Sequence, residues 1–302
     1  MDLSVLLQPS VLAEVLLQGL VRGSMYVLMG IGLSLIFGIM GVANFAQGEL
    51  FMIGVYVMFF VSVQLGLPFV VGIVASVLVL IAVGMLIERG LIAPLRRRAG
   101  RDWLLDSFVL TIGLMVVLQN LALIFFGSER RGIPQLIKGQ VHVGTISISA
   151  ERLSILAISA VAVVLLWAFI KYTRIGKAIR ATAQHPEAAQ NLGIDIDRVY
   201  TYTFGLGAAL AGLAGGLLIS IFPAYPTVGA QPIIKSFAVV ILGGLGNVGG
   251  AIAAGLLLGI IEAYTFFFMS AGWQNVLTAF LVVLILIVRP FGLFSSARTE
   301  RP

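Results

Sequence analysis

The sequence predicts an all-α polytopic membrane protein, a bundle of about nine transmembrane helices with eight and ten as the bounds. Three observations lead there. Hydrophobic residues make up 60% and charged residues 11% of the 302, and the mean hydropathy of +1.08 lies outside the range of soluble globular domains. Apolar runs recur along the chain at the length of about 20 residues that crosses a hydrocarbon core of about 30 Å. The cations fall in clusters: Arg89, Arg96, Arg97, Arg98 and Arg101, then Lys171, Arg174, Lys177, Arg180 and Arg198, then Arg289, Arg298 and Arg301. The positive-inside rule places all three clusters on the cytoplasmic side and gives the net charge of +6 a membrane rather than a nucleic-acid meaning.

Taken in order, the opening stretch Val5 to Met40 is too long for one crossing and contains Glu14 and Arg22. The expectation is an interfacial lead-in followed by a first span, Gly19 to Met40, with Arg22 snorkelling to the outer surface. No Lys or Arg precedes Arg22, so the basic start of a cleaved signal peptide is lacking and this stretch is expected to stay in the mature protein. A short polar break, GVANFAQGE (Gly41 to Glu49), leads into spans Leu50 to Leu65 and Phe69 to Ile87, parted by Gly66 and Pro68. The arginine-rich loop Glu88 to Asp106 reads as a solvated, lipid-facing inner loop. Ser107 to Phe126 forms span four, carrying Gln119 and Asn120. The extracellular loop 127–152 contains VHVGTISI, Val141 to Ile148, whose alternation suits a small hairpin with His142 at its surface.

Span five, Leu153 to Ile170, ends on Trp167 and Tyr172 as an inner aromatic anchor. The longest polar run of the chain follows, within a cytoplasmic loop 171–198. Pro186 can open a helix there and Gly193 can close it in the left-handed conformation. So short a helix lies well below the roughly 12 to 15 residues that hold in water, and it must be packed on something. Span six, Val199 to Phe222, is rich in Gly and Ala at close-packing spacings, which places it mid-bundle or against a second subunit. A rigid outer turn with Pro223, Pro226 and Pro232 comes next. Ile233 to Met269 would be about 55 Å as one helix, too long for one crossing, and Gly243, Gly244, Gly246 and Gly250 are its helix-break glycines. Spans Ile233 to Leu245, Val248 to Phe268 and Trp273 to Val288 then return the basic tail to the inside. Eight crossings would leave it outside, so the charge rule favours nine with the N-terminus outside.

Several chemistries are set aside. With no cysteine and only His142 and His185, no disulfide framework and no metal site is expected. Gly244, Gly246 and Gly249 spell GxGxxG, but no strand–helix–strand unit surrounds them, so the pattern is not read as a nucleotide site. Polar groups at membrane depth are candidates for a translocation pathway, namely Asn44, Gln47, Glu49 and Glu262. For Glu49 the helix dipole supplies a purely structural reason, and for Glu262 bracing of helices is the other reading. Lys235 is expected to snorkel.

Four stretches carry a resemblance. Glu187-Ala188-Ala189 with Gly193 resembles the EAA…G signature of ABC importer permeases, the segment that docks on the ATPase. GVANFAQGE, Glu88-Arg89 with Pro94-Leu95-Arg96, and VILGGLGNVGGAIAAGLLLGIIE (Val240 to Glu262) are similar to segments of the branched-chain amino acid ABC permeases, the shorter of the two homologous kinds. The resemblance implies a single permease domain over 1–302 that moves branched-chain or related amino acids across the bacterial inner membrane by alternating access. It implies a cytoplasmic coupling helix, with Arg180, Glu187, Ala188, Ala189 and Gly193 as ATPase-coupling residues. It implies as partners a second homologous permease, two ABC ATPase subunits and a periplasmic substrate-binding protein, in the lipid bilayer and without nucleic acid. No cofactor is expected in this chain, since it has no GxxxxGK[ST] phosphate loop and ATP would be bound by partner subunits. The alternative is an ion-coupled carrier or a channel working alone.

Overall fold

Pro9 stands at the first helical position, where its missing N–H costs nothing, and helix α1 then runs unbroken from Pro9 to Met40, closing on Gly41 at φ +72°. The computed structural model describes residues 8–98, 103–132, 137, 139–143 and 146–294. Its 32 residues make α1 about 48 Å long, so the expected lead-in and first span are one helix. No proline interrupts it after Pro9, and the glycines that might have done so face a partner helix. Arg22 is half-buried, with its guanidinium 5.5 Å from the ring centroid of Phe266, near the end of α11.

The remaining passes follow the apolar runs. Helix α2 (Gln47–Phe59) ends in a π-helical turn, Phe60–Gln64. Helix α3 (Phe69–Ile87) continues through a second π turn, Glu88–Ile92, into the short α4 (Ala93–Arg98). Helix α5 spans Trp103–Phe126. Strands β1 (Gln140–Val143) and β2 (Ile146–Ser149) pair antiparallel with Val141 opposite Ile148, the hairpin that the alternation predicts. Then come α6 (Ala150–Tyr172), α7 (Arg174–Gln184), α8 (Pro186–Asn191) and α9 (Ile196–Leu217). The last three are α10 (Ala230–Gly243), α11 (Val248–Phe268) and α12 (Ala271–Val288).

Seven helical stretches are long and apolar enough to cross a membrane, and α9, at 22 residues, has the length as well. Helix α10 differs from the expected span. Its 14 residues cover only about 21 Å, short of the roughly 30 Å of a hydrocarbon core. Pro232 lies inside its first turn, where proline is tolerated, which shortens the expected proline-rich turn. With α9 and α10 beside those seven, the count of apolar or span-length helices among the described residues is roughly that of the expected bundle.

Two sets of chain ends result. At one end Leu293 N donates to Leu242 O at 2.8 Å, Thr111 Oγ1 donates to Ala43 O at 3.3 Å, and Arg96 meets Asp197. At the other, Arg131 and Ala224 exchange backbone hydrogen bonds and Tyr264 OH donates to Leu12 O at 3.1 Å. The described cations of all three clusters lie at the first, basic end. Arg101, Arg298 and Arg301 lie outside the described residues.

Helices α1 and α9 are the buried axis. The small residues that predicted a central place for α9 meet α1, α2 and α3: Gly207 faces Gly32, Gly212 faces Gly54 and Ala208 faces Gly84. On its other side α1 packs antiparallel on α11 along Gly19, Gly23, Gly255 and Gly259, two glycines four residues apart on each helix. A Cβ built on Gly259 would lie 2.4 Å from the Cα of Gly23, so backbone meets backbone and van der Waals contact holds the pair. Gly259→Val is expected to destabilise the bundle by about 1–3 kcal/mol through overpacking, read as a lower melting midpoint of the purified protein in detergent. An unchanged midpoint would mean that this seam is not formed.

Candidate functional site

The polar run after α6 folds into an elbow whose turns are fixed by side-chain caps at Thr173 and Asp195, by Pro186 and by a glycine turn at Gly193. Thr173 Oγ1 accepts from Gly176 N at 2.9 Å and starts α7. His185 is extended, Pro186 opens α8, and α8 closes with Ile194 N donating to Ala189 O and Gly193 N to Gln190 O. That pair of bonds is a Schellman motif, and it needs a residue of positive φ at Gly193, which has φ +84°. Asp195 Oδ1 then accepts from Arg198 N at 3.1 Å and caps α9.

A charged network ties this elbow to the α3–α4 segment. Arg96 donates to Glu88 Oε1 at 3.1 Å and to Asp197 Oδ1 at 2.6 Å, and stacks over the Tyr200 ring at 4.5 Å. Arg97 donates to Asp197 Oδ2 at 2.6 Å, and Thr201 Oγ1 to Glu88 Oε2 at 2.6 Å. Asp197 sits in the polar first turn of α9, outside its apolar part, and hydrogen bonds from Arg97 and Arg96 hold it below the usual carboxylate range. The sequence expectation of a solvated, lipid-facing arginine loop is therefore corrected at Arg96, which is largely buried against fully buried Glu88. The partner carboxylate, Asp197, lies about a hundred residues along the chain, beyond the reach of local pattern.

On the elbow, Glu187, Ala188 and Gly193 are exposed, as is Arg180, while Ala189 is buried beneath them. The two alanines do not share a face. Ala189 anchors α8 to the bundle, and the outward surface is made by Glu187, Ala188 and Leu192, the last 83% exposed.

The polar break before α2 is folded on itself. Asn44 Oδ1 accepts from Ala46 N at 3.1 Å, Asn44 Nδ2 donates to Gln47 Oε1 at 3.2 Å, and Gln47 Nε2 donates to Gly207 O of α9 at 3.0 Å. Asn44, Gln47 and Glu49 are all buried. Glu49 Oε1 accepts from Gln119 of α5 at 2.8 Å, and its Oε2 has no hydrogen-bond partner among the described residues. Glu262 stands apart from these three. Its carboxylate receives Tyr26 OH at 2.6 Å, Lys235 Nζ at 2.5 Å and Thr278 Oγ1 at 2.6 Å, joining α1, α10, α11 and α12. The expectation that Lys235 snorkels is overturned: it is buried and paired with Glu262 and Thr278.

The helix-break glycines cluster at the basic end. Helix α10 ends at Gly243, Gly244 (φ +97°) and Gly246 (φ +80°) turn the chain, and Gly250 packs on Gly243 so closely that a Cβ would collide with its carbonyl. Asn247 caps α11 through Gly250 N at 3.0 Å and also donates to Phe294 O at 2.7 Å, fastening the end of the described chain over the turn.

The profile of the family described as "Branched-chain amino acid transport system / permease component" matches residues 15–288. The chain belongs to this family. Among relatives, the LivH high-affinity branched-chain amino acid permease protein of Escherichia coli K12 is 35% identical over 297 residues, 94% of this chain and 95% of its own. The BraD protein of Pseudomonas aeruginosa is 33% identical over 300 residues, 95% and 96% of the two chains. A probable LivH permease protein of Methanocaldococcus jannaschii is 27% identical over 304 residues, 93% and 92%. No solved structure matches the chain.

As a branched-chain permease family member with seven span-length apolar helices, this is a multi-pass inner-membrane protein. Two features of this permease escaped the sequence reading. Leu192 had a signal, a lone leucine at the end of a polar helix where burial was not required. The Arg96–Asp197–Glu88 network had none beyond the presence of the charges.

Proposed function

We propose that this permease carries branched-chain amino acids inward across the membrane as one subunit of an ATP-driven ABC importer. The observation that carries the reading is the capped elbow of α7 and α8, with Glu187, Ala188 and Leu192 facing outward, in a chain whose relatives along nearly its full length are named for branched-chain amino acid transport. ATP binding and hydrolysis belong, in this reading, to two partner ATPases. A second permease and a periplasmic binding protein complete the assembly. The basic end is cytoplasmic, so 171–198 is the coupling loop and 127–152 is outside.

Mechanically, approach of the ATPases moves α8 as one piece, because Pro186 fixes its first residue and the Schellman turn at Gly193 closes its last. The movement reaches α9 through Asp195 and α3–α4 through the bonds of Asp197 to Arg96 and Arg97. Helix α9 touches α1, α2 and α3 along glycines, where close backbones slide with little side-chain interlocking, and the cavity shared by the two permeases changes sides. The experiment is purification of the complete assembly: ATPases that co-elute and hydrolyse ATP faster when the binding protein is loaded with leucine support it, and a lone chain active in proteoliposomes removes it.

Within this reading Asn44, Gln47 and Glu49 stand where the solute path and the α2–α9 contact meet. Glu49→Gln keeps the bond to Gln119 and removes the charge, and Asn44→Ala cuts the link to Gln47. Asn44→Ala is expected to lower uptake about five- to tenfold for the loss of one or more buried hydrogen bonds worth about 1 kcal/mol each. Wild-type uptake in Asn44→Ala, Gln47→Ala and Glu49→Gln alike would reduce these residues to helix-end chemistry.

A further inference from the structure

Four cations crowd the stretch from Lys171 to Arg180, and no Asp or Glu lies between Glu151 and Glu187 to offset them. Lys171, Arg174, Lys177 and Arg180 are all exposed, and none of them makes an ion pair among the described residues. They sit on α7 and the end of α6. On α7 the buried face is Gly176, Ile179 and Thr182, so Arg174 and Lys177 project from a basic amphipathic helix of the kind that lies at a membrane interface.

Beside this rim is a cavity of about 430 Å³ that none of the preceding roles uses. Its walls are Leu35 and Ile39 of α1, Leu166 and Trp167 of α6, and Ile252 of α11, and Arg180 stands among its lining residues. The Arg180 guanidinium donates to the Ile170 carbonyl, which holds the side chain over the C-terminal end of α6. Lys171 lies 4.5 Å from the Trp167 ring centroid and 5.3 Å from that of Tyr172. Trp and Tyr at such a position mark the headgroup level, so the cleft opens just inside the hydrocarbon with Arg180 at its mouth and Lys171 beside the lining residue Trp167. Ser34 Oγ, buried and without a partner among the described residues, also lines the wall, which is mostly apolar.

We propose that this cleft is a binding site for an anionic phospholipid, with an acyl chain between α6 and α11 and the phosphate against Arg180 and Lys177. The volume falls in the range of ligand sites, the apolar walls match a hydrocarbon chain, and basic pockets between spans at the cytoplasmic face suit anionic headgroups. A protein surface docking on the same cations is the competing source of negative charge. It is disfavoured because the cations border an apolar cleft at membrane depth, whereas the outward groups of α8 are Glu187 and Leu192. Bound there, the lipid fixes α7, whose last residue is one step from α8, and so sets how the elbow is presented.

The test is to extract the assembled transporter in mild detergent and quantify phosphatidylglycerol and phosphatidylethanolamine retained per permease by mass spectrometry. Phosphatidylglycerol is expected to be retained selectively by the wild type, and by Arg180→Lys, which keeps the charge. Lys177→Gln and Arg180→Gln should each lower its retention roughly fivefold, the effect of one interfacial cation, and Ile252→Trp should displace it by filling the cleft. Because the charge variants alter exposed side chains, they remain decisive if Ile252→Trp fails to fold. Equal retention of both lipids by the wild type, or unchanged phosphatidylglycerol in both glutamine variants, overturns the proposal. Loss of ATPase recovery with lipid retention unchanged also overturns it and assigns the cations to protein docking. None of these readouts depends on which solute is carried.

Discussion

Lys235→Met is expected to destabilise the permease by about 3–5 kcal/mol, the cost of leaving one member of a buried ion pair without the other. In the wild type the Glu262 carboxylate is enclosed by Lys235, Tyr26 and Thr278, and Gln274 Nε2 holds the Glu262 backbone oxygen at 3.0 Å. Removing the ammonium leaves the carboxylate with two neutral donors in a site closed to water. The measurement is thermal aggregation of the purified protein in detergent, with Lys235→Met beside Lys235→Met/Glu262→Gln. The double variant should recover much of the loss, since the buried charge goes with its partner. If the single variant melts with the wild type, Glu262 is not held by Lys235 and the cluster is not a brace of α10.

That brace shows where sequence reading stops. Glu262 was legible as an unusual group at membrane depth, and so was Lys235, because each is a charge inside an apolar run. Their pairing was not, for 27 residues separate them and Tyr26 lies 236 residues from Glu262. Only the short α10, folded back along α11 by Gly244 and Gly246, brings lysine and glutamate to one level. The glycine break itself was legible, since only glycine takes positive φ cheaply. The span boundaries followed from the hydrophobic ruler, with α1 misjudged because a stretch too long for one crossing and carrying Glu14 and Arg22 was expected to divide, whereas it stays one helix. Arg96 was misjudged for a similar reason: a basic cluster looks the same in sequence whether it faces water or a buried glutamate.

The glycine that closes α8 gives the prediction with the largest functional effect. Gly193 has φ +84°, and a Cβ built on it meets nothing within 4 Å. Any cost of substitution therefore comes from the backbone alone, about 1–3 kcal/mol for a side chain held in that region. Helix α8 has six residues and cannot stand without its closing turn, so that strain is expected to undo the Schellman turn and release Leu192 and Glu187 from their places on the outward surface. Gly193→Val should then lower uptake and ATPase recovery roughly tenfold or more, taking about 1.4 kcal/mol per factor of ten. Gly193→Asn should fall between it and the wild type, because asparagine tolerates the left-handed region better than β-branched residues do. Glu187→Lys alters the same surface without touching the backbone and should weaken ATPase recovery while leaving the melting midpoint unchanged. The spans are held by their own packing, so Gly193→Val should still insert and purify. Strain and surface then give separable results: a graded series Gly, Asn, Val at position 193 reports the turn, and Glu187→Lys reports the contact. Normal ATPase recovery and uptake in both Gly193→Val and Glu187→Lys would take the coupling role away from α8, and would leave the capped elbow as a connection between two membrane helices.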